Sequence, residues 1–67
     1  MLSVEEHDIR NRLRIKGYTI VEMWALTVEH RLVYRVILAD AAAPEGRRVI
    51  EGAYPRILQK IKRLPAQ

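Results

Sequence analysis

The sequence predicts a single small α+β domain over residues 1–67, with its elements in the order α-β-β-β-α. A capping-box pattern opens a charged helical segment near the N-terminus. Two runs rich in β-branched and aromatic residues follow, and a segment with helical spacing that opens near Pro55 comes last. The most economical packing is a three-stranded antiparallel sheet with both helices on one face, which leaves the opposite face open.

The first helix is predicted to run from Val4 to Lys16. Ser3 can accept a hydrogen bond from the amide of Glu6, and Gly17 suits the position just after a helix. Acidic residues lead and basic residues follow, as the helix dipole favours. The apolar positions form a thin stripe, which is typical of a helix on the protein surface. They are Val4, Ile9 and Leu13, with Leu2 as a candidate hydrophobic staple.

The first strand is predicted over Tyr18–Thr27, and it is apolar at both of its alternating sets of positions. One set includes Trp24 and Leu26. The other includes Val21 and Met23. Because successive side chains of a strand point to opposite faces, the alternation leaves open which of these two sets points outward.

The second strand is predicted over His30–Leu38, after a turn at residues 28–30, and it alternates more cleanly. One face is apolar and is expected to join the core: Leu32, Tyr34, Val36 and Leu38. The other face is mixed: Arg31, Val33, Arg35 and Ile37. It is expected to be the open face and to show Arg31, Val33 and Arg35.

A loop with Pro and Gly over residues 40–46 leads to a short third strand at Arg47–Gly52. Pro55 is well placed for the first position of the second helix. Pro65 is expected to end that helix, and residues 66–67 are expected to fray. The apolar residues of the helix recur at helical spacing: Ile57, Leu58, Ile61 and Leu64.

The net charge of +4 is unevenly distributed along the chain. Residues 1–46 carry six basic and seven acidic side chains, whereas residues 47–67 carry six basic and one acidic. Such asymmetry favours contact with a polyanion, or else a solvated basic helix. The candidate nucleic-acid-binding residues are therefore Arg47, Arg48, Arg56, Lys60, Lys62 and Arg63.

The sequence contains no catalytic constellation, so we expect no enzyme. His7 and His30 are far apart, there is no cysteine, and the three glycines form no phosphate-binding loop. We accordingly predict no metal site, no cofactor and no small-molecule substrate. No apolar run approaches the ~20 residues of a membrane span, and a cytoplasmic location is expected.

The open sheet face is the predicted binding surface. A chain of this size buries only ~60% of the surface that its unfolded form exposes, which favours association. We predict a small non-enzymatic binding or regulatory protein that works as a homodimer or as a subunit of a larger assembly. Its candidate interface residues are Trp24, Leu26, Arg31, Val33 and Arg35. Contact of the basic second helix with RNA or DNA is a further expectation.

The element order also resembles that of the double-stranded-RNA-binding domain, whose length is similar. The resemblance implies that the first helix, the loop between the first two strands and the start of the second helix contact RNA. The basic residues around the second helix fit this alternative: Arg47, Arg48, Arg56, Lys60, Lys62 and Arg63.

A second, shorter resemblance lies in the strand region. The string Glu29–Tyr34, followed by Val36 and preceded by Trp24, resembles the central strand of the RelE/YoeB-type mRNA-cleaving toxins. The resemblance implies that Arg31 stabilises charge at a scissile phosphate. It stands as a remote alternative to the non-enzymatic binding protein.

Overall fold

A computed structural model describes residues 3–67 and confirms the predicted α+β class and element order. The three strands form one antiparallel sheet in the order β1-β2-β3. The staple predicted for Leu2 lies outside the described residues. The elements are α1 (Val4–Ile15), β1 (Thr19–Val28), β2 (Arg31–Ala39), a 3-10 turn (Pro44–Gly46), β3 (Arg47–Gly52) and α2 (Tyr54–Arg63).

Both ends of α1 follow the local signals in the sequence. The Ser3 hydroxyl accepts from the amide of Glu6 at 3.1 Å, as the capping box predicts. After the helix, Gly17 has φ +92°, a left-handed conformation that favours glycine. A Cβ at Gly17 would also lie 2.8 Å from the carbonyl oxygen of Gln67, so a side chain is excluded there.

The two helices run in the same direction across one face of the sheet. The Tyr54 hydroxyl, at the start of α2, donates a hydrogen bond to Asp8 in α1. At the other end, Lys16 Nζ donates to the carbonyl oxygen of Leu64 at 2.6 Å. Helix α1 packs over β1, and α2 packs over β2 and β3. The core between these layers contains Ile9, Leu13, Tyr18, Tyr34, Val36, Leu38, Ile50, Ile57, Ile61 and Leu64.

A β-bulge in β1 explains why that strand is apolar at both alternating sets of positions. Ile20 pairs with Leu38, but the next pair is Glu22 with Ile37, so Val21 is an extra residue. The side-chain alternation therefore reverses at the bulge. Ile20 and Met23, although of opposite parity, both pack against the core.

The chain's last residues, expected to fray, are held instead. The amide of Gln67 donates to the carbonyl oxygen of Lys16 at 2.8 Å. The Tyr18 hydroxyl donates to the carbonyl oxygen of Pro65 at 2.7 Å. These bonds fasten the tail across the connection between α1 and β1, so the expectation of fraying was wrong.

The β1–β2 hairpin extends beyond the rest of the protein. β3 pairs with β2 only as far as Tyr34 and Gly52. The Tyr34 hydroxyl donates to Glu5 Oε1 at 2.7 Å, which places the start of α1 level with the same point. Residues 26–33, here named the hairpin arm, extend beyond the end of β3 and the start of α1. Leu32 was expected in the core, but it is 46% exposed because it lies in the arm.

Candidate interaction surface on the open sheet face

The predicted interface residues all lie on one face of the sheet. Trp24 pairs with Arg35, and Leu26 pairs with Val33. Directly paired residues of antiparallel strands share a face, and Arg31 lies two positions from Val33 on that face. Since Tyr34, Val36 and Leu38 point toward the helices, this is the open face. Of the two sets of β1 residues that could have pointed outward, it is therefore the set with Trp24 and Leu26 that does so.

Large apolar side chains on this face are half exposed. Trp24 is 43% exposed and Leu26 is 48% exposed. The predicted set omits three apolar residues of the same face: Val28, Ile37 and Val49. The alternation of the second strand already puts Ile37 on this face, and the two-residue period could have found Val28, which lies two positions from Leu26. Val49 can be assigned to this face only from its pairing with Ile37, and the sequence does not specify that register.

Arg35 occupies the middle of the open face, and its charge is compensated within the chain. Its guanidinium carbon lies 6.0 Å from the centroid of the Trp24 ring. Its Nε lies 3.8 Å from Glu51 Oε2. An arginine that has a carboxylate partner can be covered by another protein at lower cost than an unpaired one. Arg35 is therefore compatible with burial of the face.

Glu22, Arg35 and Glu51 lie among the apolar side chains in the middle of the open face, and arginines lie at its ends. Arg31 lies in the hairpin arm at one end, and Arg47 pairs with Ala39 at the other. A face of three strands and ten residues measures roughly 14 by 30 Å, or roughly 400 Å² in projection. The apolar side chains cover only part of this area, because β3 is shorter than β1 and charged residues share the face.

The predicted nucleic-acid-binding residues do not form one cluster. Arg48 Nε donates to Asp40 at 2.8 Å, and that carboxylate is only 1% exposed. Lys60 Nζ donates to the carbonyl oxygen of Glu51 at 2.7 Å. Arg47 lies on the open face, whereas its neighbour Arg48 points to the helix side. Two of the six cations thus have structural partners, and a third lies on a different surface.

The remaining cations belong to α2. Arg56, Lys60 and Arg63 are spaced to share one side of the helix, and Lys62 points elsewhere. The stem of Arg56 covers Gly52, where an added Cβ would lie 3.0 Å from Arg56 Cγ. The fold therefore brings together three of the six predicted residues.

Two carboxylates are held by structural hydrogen bonds. The hydrogen bond from Arg48 lowers the pKa of Asp40, with further help from the amide of Ala42, although burial opposes the shift. The Tyr54 hydroxyl, and then Arg12, lower the pKa of Asp8. Both carboxylates stabilise joints between elements. Within residues 3–67, no group of three histidine or acidic side chains is arranged to hold a metal ion.

A basic groove lies on the side of α1 that faces away from α2. It has a volume of about 320 Å³ and is lined by His7, Arg10, Asn11 and Arg14. Arg10 Nε is buried and has no hydrogen-bond partner among the described residues. Arg14 Nη2 donates to Asn11 Oδ1 at 2.7 Å. Sequence reasoning missed this groove, although its residues have the spacing of a single helix face.

The two resemblances can be placed on the fold. α2 begins at Tyr54 beside the carboxylate of Asp8, and the turn between β1 and β2 carries Glu29. Two of the surfaces that the double-stranded-RNA-binding domain would use thus carry acidic side chains here. Arg31 lies on the open face opposite Val28.

Comparison with protein-family models, curated proteins and solved structures finds no significant match for the chain. No helix within residues 3–67 is long and apolar enough to cross a membrane.

Proposed function

We propose that this chain is a small, non-enzymatic interaction protein that works as a dimer or as a subunit of a larger assembly, through its open sheet face. One observation carries the proposal: Trp24 and Leu26 stand half exposed on a face whose central cation, Arg35, is already paired with Glu51. Tryptophan and arginine are the residue types enriched at interface hot spots.

The size of the protein supports the same proposal. Fully burying a large apolar side chain contributes about 1.5–3 kcal/mol, so covering the exposed part of Trp24 and Leu26 is worth a substantial fraction of that. Small domains have few other sources of stability, and this chain has no cysteine for disulfides. Association through the open face would remove this apolar surface from water.

A photo-crosslinking amino acid at Val33 tests the proposal, because it bonds covalently to whichever protein covers the open face. The matched control carries the same amino acid at Gln59, which is exposed on α2. Under native conditions we expect protein adducts from position 33 and few from position 59. The change Leu26→Glu should abolish the adducts of position 33. Equal yields at the two positions would contradict the proposal.

The exposed side of α2 supports a second candidate, contact with RNA or DNA. Arg56, Lys60 and Arg63 form a basic row, and each phosphate contact adds a slope of about −0.9 in log K against log salt for duplex DNA. Charge reversal of Arg56 and Arg63 should then weaken binding to short RNA or DNA, whereas Arg31→Ala should not. Absence of binding at low salt excludes this candidate.

The remote RelE/YoeB-type alternative requires RNA cleavage that depends on Arg31. We propose that the chain has no such activity. Incubation of purified protein with RNA, with Arg31→Ala as the comparison, tests this: cleavage that disappears in the variant would favour the toxin alternative.

A further inference from the structure

We propose that two copies of this chain pair edge to edge through β1, antiparallel and about a two-fold axis near Ala25. The two sheets then join into one sheet of six strands. The hairpin arm of each copy comes to lie beside α1 of the other. This interface uses the edge of the sheet and not its open face, so it is independent of the proposed function.

The two edges of the sheet differ in protection. β3 has six residues, three of them charged, and Lys60 reaches from α2 to the carbonyl oxygen of Glu51. β1 has ten residues, and Glu22 is its one charge. Within residues 3–67, no hydrogen bond from another element reaches the outer edge of β1. A long edge with a single charge is a template for another strand, and natural sheets usually protect such edges more fully.

The regular part of β1 sets the centre of the pairing. The bulge at Val21 interrupts the strand, and the stretch from Glu22 to Val28 is regular. Its midpoint is Ala25. Antiparallel pairing of this stretch with itself puts Trp24 opposite Leu26 of the second copy. It also puts Glu22 opposite Val28, so no like charges meet across the edge.

The helices fit this register without collision. The bond between Tyr34 and Glu5 places the start of α1 level with Ala25, the pairing partner of Tyr34. α1 extends from there over the first half of β1, so each α1 lies on its own side of the axis. The space beside each α1 is then filled by the arm of the second copy. Leu32, the large exposed apolar residue on the helix side of the arm, faces that α1.

The charges at this contact are complementary. Asp8 and Lys16 mark the flank of α1 that touches α2, and helical spacing puts Arg10 and Arg14 on the opposite flank, beside the edge of β1. At ~3.3 Å per strand residue, Glu29 of the second copy lies about 13 Å past the axis. Arg14 lies about 13 Å past the start of α1 at ~1.5 Å per helix residue.

The backbone conformation of the turn at the tip of the hairpin arm supports the same contact. Glu29 and His30 have φ of 50° and 65°, so both adopt the left-handed conformation of a two-residue hairpin turn. Such turns strongly prefer Asn-Gly, and strained positions often mark functional sites. The second copy's Glu29 supplies a carboxylate to the basic groove, where Arg10 Nε is buried without a partner.

Reversal of these charges tests the contact in the full-length chain. Light scattering over a range of concentrations should give twice the mass of the single chain. Glu29→Arg and Arg14→Glu should each weaken the dimer about tenfold, which is the effect of 1.4 kcal/mol. The double variant should restore it. Circular dichroism confirms that each variant is folded. A monomer at every concentration, or singles that do not weaken the dimer, overturns the inference.

Because the chain lacks cysteine, a single Ala25→Cys gives an independent test of the register. Directly opposed residues of antiparallel strands have Cβ atoms about 5 Å apart, which is within reach of a disulfide after small shifts. Oxidation should link two Ala25→Cys chains and leave the control Gln59→Cys single. A dimer that is linked through Val33→Cys and not through Ala25→Cys overturns the edge-to-edge pairing, since it packs face to face.

Discussion

The guanidinium carbon of Arg35 lies 6.0 Å from the centroid of the Trp24 ring, within the range of a cation–π contact, on the sheet face that the helices leave uncovered. The relationship matters because it joins the one tryptophan of the chain to a cation that Glu51 already compensates. Apolar side chains surround this pair, and the carboxylate of Glu22, opposite Ile37 on the same face, offers a partner a charge to pair with.

Trp24→Lys should separate binding from folding. Trp24 is 43% exposed and lies outside the core, so we expect its loss to change the free energy of unfolding by less than ~1 kcal/mol. Adducts from a crosslinker at Val33 should disappear. Urea unfolding and crosslinking yield measure the two effects. The control Tyr34→Ala, in the core, should cost about 3–5 kcal/mol. A similar loss of stability in Trp24→Lys would mean that Trp24 is structural.

Lys16→Met should loosen the end of α2. Lys16 Nζ donates to the carbonyl oxygens of Ile61 and Leu64, both at 2.6 Å, and it also reaches that of Lys62 at 3.0 Å. Hydrogen bonds to a charged group contribute about 1.5–3 kcal/mol net, so we expect a loss of about 2 kcal/mol. Thermal unfolding measures it. Lys62→Met, on an exposed side chain nearby, should have little effect, and equal losses in the two variants would rule out this role.

Asp40→Asn should change how stability depends on pH. The hydrogen bond from Arg48 lowers the pKa of Asp40 in the folded state. Its contribution is therefore present above the unfolded carboxyl pKa of about 3.9 and is lost as the pH falls through the lower folded value. The variant should be less stable near neutral pH and should lose less stability on acidification. Unfolding by urea across this pH range checks both. Glu45→Gln, in the same loop, should leave the profile unchanged.

His30→Gly should stabilise the chain. His30 has φ 65°, and the left-handed conformation costs a residue with a side chain roughly 1–2 kcal/mol. Glycine adopts it freely, although the more flexible unfolded chain offsets part of the gain, so we expect about 1 kcal/mol. A higher midpoint of thermal unfolding would show it. Val33→Gly, in the strand, should destabilise. No gain in His30→Gly would mean that the turn is not strained.

The ends of the elements could be predicted because their signals are local. The Ser3 cap, the Gly17 stop and the Pro55 start each act within a few residues, and the structure agrees to within one residue, since α2 begins at Tyr54. The open face followed from the alternation of Arg31 with its neighbours in β2. That strand contains no bulge, so its period of two continues from end to end.

The features that could not be predicted depend on how the elements pack against and pair with one another. The bulge at Val21 belongs to the register of β1 against β2, which no local pattern specifies. The exposure of Leu32 depends on how far the hairpin extends past α1 and β3. Likewise, the sequence shows that Arg48 is basic but not that Asp40 is its partner. The sequence could therefore predict whether a position lies in a helix or a strand. It could not predict which residues of other elements that position contacts.

The solvent accessibility of Trp24 in the native assembly tests the central claim most directly. Hydroxyl-radical labelling compares its oxidation rate in the assembled protein with that in the purified, diluted chain, and Tyr54, on the helix side, serves as the internal reference. If the open face binds a partner, Trp24 should be oxidised several-fold more slowly in the assembly while Tyr54 is unchanged. Equal rates for Trp24 in the two samples would contradict the account.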